Sequence, residues 1–150
     1  MNMATMIGSV WGINRLPFAG VLVAALTILI CWLLHWIGGF PLVLIGTISA
    51  AAKTFYAAPR MDGGPLIADR ILGQMIALWP LSAGLWLMDA PAHLFPWPGW
   101  VGAFVICLAI TSLPPMRRLN AKSPLLDDLI AGVATACIST VMAGISHGWF

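Results

Sequence analysis

Five apolar runs, all but the second read as membrane spans by their length, alternate with short polar stretches, and the seven basic residues are distributed among those stretches unevenly. Arg15 precedes the first run; Lys53, Arg60 and Arg70 cluster after the second; Arg117, Arg118 and Lys122 cluster after the fourth. Threaded as five spans, the chain brings every Lys and Arg to the side of its N-terminus, the bias of cytoplasmic loops. Asp62, Asp69, Asp127 and Asp128 fall on that same side, and Asp89 on the other. Any chemistry is therefore expected at one membrane surface.

Composition agrees. Only 8% of the 150 residues are charged and 61% are hydrophobic, with mean hydropathy +0.96, where soluble domains carry about 25% charged residues. So few charges cannot cover a water-soluble globule, and the fold class expected is all-α: a polytopic helical bundle forming a single membrane-embedded domain over residues 1–150. There is no Glu, which gives each Asp more weight. A net charge of +2 is too small to point to nucleic acid. The basic clusters read as topology signals that also meet anionic head groups. Cys31, Cys107 and Cys137 lie inside apolar runs and read as small core hydrophobes, with neither disulfide nor metal spacing. The N-terminus lacks the pattern of a removable signal peptide.

The first span is predicted over Phe18 to Ile37, close to the ~20 residues that a bilayer demands, with Gly38-Gly39 ending it. The second run, Phe40 to Ala52, either stops before Lys53 as a short embedded helix or extends to Ala58 with Lys53 snorkelling. The third runs from near Pro65 to Met88, and Pro80 inside it predicts a kink. Asp89 to Pro98, with His93 and Trp97, is expected to be an outer loop. The fourth run is Gly99 to Leu113, stopped by Pro114-Pro115, after which a polar basic loop is expected. Pro124 starts the fifth, to about Ile145, and Gly148-Trp149-Phe150 anchors at the outer interface.

Asp69 and the Asp127-Asp128 pair both fall in the first turns of helices, where free N–H groups and the helix dipole stabilise negative charge. Capping alone explains such residues about as well as function does. A carboxylate at the edge of an apolar span is rarer, because burial is costly unless the group is paired or liganded. Adjacent Asp127 and Asp128 repel each other, and oxygen-only ligation by carboxylates plus a phosphate is what Mg²⁺ prefers. Gly12-Ile13-Asn14-Arg15-Leu16-Pro17 and Asp62-Gly63-Gly64-Pro65 read as turns. Gly73, Gly84, Gly132 and Gly144 read as close helix contacts. His35, His93 and His147 show no catalytic arrangement.

Three blocks of this sequence, in order, resemble the phosphatidylglycerophosphatase A family. Asp62-Gly-Gly-Pro-Leu-Ile-Ala-Asp69-Arg-Ile-Leu-Gly73 resembles its central motif, in which an Asp is followed seven residues on by an Asp-Glu pair, then a Gly and an apolar helix. Leu126-Asp127-Asp128-Leu-Ile-Ala131-Gly132 is similar to its C-terminal Asp-Asp-x-x-Ala-Gly helix start, and Gly12 to Pro17 to its Gly-x-Gly-x-Leu-Pro approach. The departures are specific. The acidic pair reads Asp69-Arg70; the loop after Pro17 is shortened to Phe18-Ala19-Gly20; the family's Asp-x-x-Lys-Pro-x-Pro segment has Ala109 and Ser112 at its Asp and Lys positions, keeping Pro115.

The resemblance implies a hydrolase: an Mg²⁺-dependent phosphatase that converts phosphatidylglycerophosphate to phosphatidylglycerol at the cytoplasmic face of a bacterial inner membrane. Carried onto this chain, it implies Asp69 and Asp128 as catalytic residues, and Asp62, Asp69, Asp127 and Asp128 as metal ligands. Arg15, Arg70 and Arg117 would bind the substrate phosphate, Arg117 or Arg118 standing in for the lost Lys. The competing reading is a catalytically impaired relative that binds an anionic lipid or a partner subunit through the same face; homo-oligomerisation is left open. A transporter or channel component fits less well, because apart from Lys53 only His35 is an ionisable group deep in a span.

Overall fold

A computed structural model describes residues 3–9, 18–60, 67–91, 93–94, 96–122 and 124–146. Every element among them is helical: α1 (Met3–Gly8), α2 (Ala19–Ala57) with a 3-10 turn at Ala58–Arg60, α3 (Ala68–Ala77), α4 (Trp79–Leu87), α5 (Trp97–Ser112), α6 (Pro114–Lys122) and α7 (Pro124–Ser146). Arg15, Asp62, His147 and the Gly148-Trp149-Phe150 anchor lie outside the described residues.

The 39 residues of α2 are not one rod. Gly38 (φ −146°, ψ 17°) and Gly39 (φ 65°, ψ −159°) leave the helical region, and the chain doubles back there. A Cβ on Gly46 would lie 2.8 Å from Leu34 Cδ1, whereas twelve residues of straight helix would hold these positions about 18 Å apart. The expected break at Gly38-Gly39 is thus a hairpin between two legs, leg one over residues 19–37 and leg two over residues 40–57. The second leg continues as helix past Lys53 to Ala57, the longer of the two expected alternatives.

Gly39 is irreplaceable for two reasons. Its φ is in the left-handed region, and a Cβ would sit 2.0 Å from the Trp86 ring. Gly39→Ala is expected to cost about 2 kcal/mol or more, read as a lowered unfolding midpoint in detergent; an unchanged midpoint would contradict the hairpin.

Further contacts set the order of the legs. Leg one runs beside α3 and α4 in the same direction, with Ala19 and Val23 against Ile67 and Ile71 at one end and His35 bonded to Ser82 at 2.8 Å near the other. Leg two runs opposite to α3: Thr54 donates to the Ala68 carbonyl at 3.2 Å, and Trp79 donates to Thr47 at 3.0 Å. The kink expected from Pro80 falls at Leu78, where α3 hands over to α4 with Pro80 in the new first turn. α5 starts two residues before the expected Gly99, at Trp97, and returns along the bundle. α7 then runs parallel to α3. The core at the centre is Ile28, Cys31, Val43, Met75, Leu78, Trp100 and Ala103.

Two expectations need correction. The polar segment after Pro114-Pro115 is a helix, not a loop. Prolines in a first turn cost nothing, since those N–H groups have no helical partner, and Met116 to Lys122 is rich in good helix formers. Cys137 is exposed on α7, unlike the buried Cys31 and Cys107.

Polarity is arranged inside out. Thr27, His35, Thr47, Thr54, Gln74, Ser82 and Thr135 are buried, while Leu22, Leu26, Leu29, Leu33, Ile45, Ile48, Val141 and Ile145 are exposed. Buried hydroxyls are satisfied without water: Thr27, Thr47, Thr54 and Thr135 each donate to the carbonyl four residues back. Two helical stretches, Ala19–Arg60 and Leu125–Ser146, are long and apolar enough to cross a membrane.

Candidate metal centre

The sequence places Asp69 and Asp127-Asp128 almost sixty residues apart, and the crossing of α3 and α7 brings them together. That crossing rests on two glycines. A Cβ on Gly73 would lie 2.3 Å from the Asp128 carbonyl oxygen, and one on Gly132 would lie 2.3 Å from the Gly73 carbonyl oxygen. The two backbones are therefore in direct contact, as the sequence reading of Gly73 and Gly132 expected. Gly84 differs: nothing lies within 4 Å of its Cβ position, so close packing does not explain it. With α3 and α7 parallel and in this register, their first turns lie side by side.

Three carboxylates result. Asp69, Asp127 and Asp128 are 2%, 2% and 4% exposed, and one oxygen from each lies within 4.8 Å of the others. Asp69 Oδ1 accepts the Arg70 backbone N–H at 2.8 Å, so part of the capping explanation is correct. Both helix N-termini add their positive dipole ends. Capping does not explain the convergence: three carboxylates this close repel one another, and burial raises the cost of each charge.

Arg70 meets the cluster from the side. Its Nε lies 3.5 Å from Asp128 Oδ2, with the Arg70 side chain 29% exposed and that of Asp128 5%. Gly20, at the start of leg one, makes room for it: a Cβ there would be 3.0 Å from Arg70 Cδ and Nε. The sequence reading missed this role of Gly20. It also missed Gln74, 2% exposed and with no hydrogen-bond partner for its Nε2, although a lone amide in the run Ile71 to Trp79 is a visible signal.

Among the described residues the cluster holds these three carboxylates, with Arg70 beside it. Asp62 and Arg15 lie outside the described residues. Arg117 is in α6, the helix that leads into α7. Ser112, at the family's Lys position, donates to the Leu108 carbonyl at 2.7 Å.

The donor set fits Mg²⁺. All three groups are hard oxygen donors, and among the described residues no thiol or imidazole joins the cluster. Two oxygens on one Mg²⁺ stand at most about 4.2 Å apart, twice its 2.0–2.1 Å bond, so a spread of up to 4.8 Å closes with small side-chain rotations. No family model, curated protein or solved structure matches this chain; the geometry and the motifs carry the functional argument.

Proposed function

We propose that this chain is an Mg²⁺-dependent lipid phosphatase of the phosphatidylglycerophosphatase A type, acting on phosphatidylglycerophosphate at the cytoplasmic face of a bacterial inner membrane. One observation carries the reading: the acidic residues of two motifs distant in sequence meet in a buried triad beside an arginine. In this reading Asp69, Asp127 and Asp128 hold the metal, with Asp62 as a fourth acidic member, and Asp69 and Asp128 are catalytic. Mg²⁺, when bound, neutralises phosphate charge and makes water more acidic. Arg70, partly exposed, swings from Asp128 to fork the phosphate, with Arg15 and Arg117 adding positive charge.

The membrane placement belongs to the same proposal. Legs one and two, α3 with α4, α5 and α7 are five spans. Leg one, α3 and α7 start at the cytoplasmic face, where Lys53, Arg60, Arg70 and α6 also lie. Their lengths, 16 residues for α5 to 23 for α7, support this: at 1.5 Å per residue they cover about 24–35 Å, matching a hydrocarbon core of about 30 Å.

A second reading has its own observation. Arg70 stands where the family has an acidic residue, and it already engages Asp128. A guanidinium fixed there competes with a cation, as in a non-catalytic relative that binds anionic lipid or a partner subunit. Arg70→Gln separates the two. In the phosphatase it lowers phosphate release about a hundredfold; in the impaired relative it leaves release unchanged or raises it.

The test is phosphate release from phosphatidylglycerophosphate by the detergent-purified protein, with Mg²⁺ and with a chelator. Mg²⁺-dependent release is the expected result. Folded protein that releases none at any Mg²⁺ concentration overturns the phosphatase and leaves the binding protein.

A further inference from the structure

We infer that the groove between the α2 hairpin and α3 is a binding site for one acyl chain of an anionic glycerophospholipid, with Lys53 on its phosphate. The groove holds ≈ 440 Å³, and its walls include Leu34, Gly46, Ala50, Ile71 and Met75. Gly46 forms part of the wall, with Leu34 and Met75 packed closely on it: a Cβ there would meet Leu34 Cδ1 at 2.8 Å and Met75 Cε at 3.2 Å. Ile30, which also lines it, is 48% exposed, so the groove opens onto the apolar outer face rather than inward. Lys53 lines the same groove, one residue before Thr54, whose hydroxyl reaches the Ala68 carbonyl.

Those details select the occupant. An apolar slot that opens toward lipid and carries one cation matches a molecule with an apolar chain and an anionic head; a free phosphate would leave the slot bare and a neutral lipid would leave Lys53 unmatched. Position links the groove to the acidic triad. Ala68 lines the groove and Asp69, the next residue, points into the triad. Consecutive helical residues are about 100° apart around the axis, so a head group held at Lys53 has only to pass the first turn of α3. The inference deepens the phosphatase reading by placing the substrate's tail, and rests on that reading for the fate of the head group.

The experiment is native mass spectrometry of detergent-purified protein with phosphatidylglycerol or phosphatidylcholine of identical chains, run beside the phosphate-release assay. The wild type is expected to retain one phosphatidylglycerol in preference to phosphatidylcholine. Lys53→Gln, an exposed change that spares the fold, is expected to reduce that retention about fivefold, the value of one basic residue at an anionic lipid surface. Gly46→Leu, whose Cβ would meet only the side-chain ends of Leu34 and Met75 and whose remaining atoms take up groove volume, is expected to remove it in protein shown to be folded by its unfolding midpoint. Equal retention of the two lipids, or retention unchanged in Gly46→Leu, overturns the groove, whatever the release assay shows. Selective retention without phosphate release leaves the groove standing and removes the phosphatase.

Discussion

Asp128→Asn is expected to lower Mg²⁺-dependent phosphate release by two to three powers of ten while leaving the protein folded. The substitution keeps the size of the side chain and removes its charge. Phosphoryl transfer depends on positioning and on neutralising the phosphate with cations, and losing one such contact commonly costs about 3 kcal/mol of transition-state stabilisation. In the proposed phosphatase Asp128 would serve that chemistry twice, as a metal ligand and as the resting partner of Arg70, whose Nε lies 3.5 Å away. Stability should hold or rise, because one of three mutually repelling carboxylates is gone. Asp89→Asn is the matched control. Asp89 is exposed at the opposite end of the bundle with φ 49°, a conformation that Asn adopts readily, and its substitution should leave release unchanged. Equal loss in both variants would mean that general damage, not the triad, sets the rate.

Gly132→Ala is expected to cost about 3 kcal/mol and to pull the acidic triad apart. The added Cβ would stand 2.3 Å from the Gly73 carbonyl oxygen and 2.9 Å from Gly73 Cα. Both are backbone atoms that no rotamer change can move, so α7 must separate from α3, at the upper end of overpacking costs. That separation pulls Asp127 and Asp128 away from Asp69. Thermal unfolding in detergent should show a lower midpoint and, more tellingly, no further stabilisation by added Mg²⁺. Gly84→Ala provides the contrast: with nothing within 4 Å, it should be neutral or gain about 0.5–1 kcal/mol from helix propensity. If the two glycines behave alike, the α3–α7 crossing is wrong.

Much of the architecture is legible in the residues, for reasons that differ by element. Helix ends are local: Gly38-Gly39, Pro80 and Pro124 act through their own backbone chemistry, and each marks a break or a start within a few residues of where it stands. The segment after Pro114-Pro115 misleads because proline signals both a stop and a start; the first-turn positions of both prolines decide the matter only once the helix is seen. Which carboxylates converge was readable from motif order, but not why. The register of α3 on α7 depends on Gly73 meeting Gly132, a contact between positions 59 apart that no periodicity encodes. Arg70 shows the same limit. Its charge is plain in the sequence, yet its reach to Asp128 depends on Gly20 in another helix leaving space. Cys137 reads as core because an apolar run does not reveal which face of its helix looks outward.

Asp69, Asp127 and Asp128 are proposed to form a cation site, and electron paramagnetic resonance of Mn²⁺ tests it without relying on catalysis. Mn²⁺ favours the same hard oxygen donors as Mg²⁺. One bound Mn²⁺ per chain is expected, displaced by Mg²⁺ and absent from the Asp69→Asn/Asp128→Asn double variant. Folded wild-type protein that leaves the spectrum of free aqueous Mn²⁺ unchanged would contradict it.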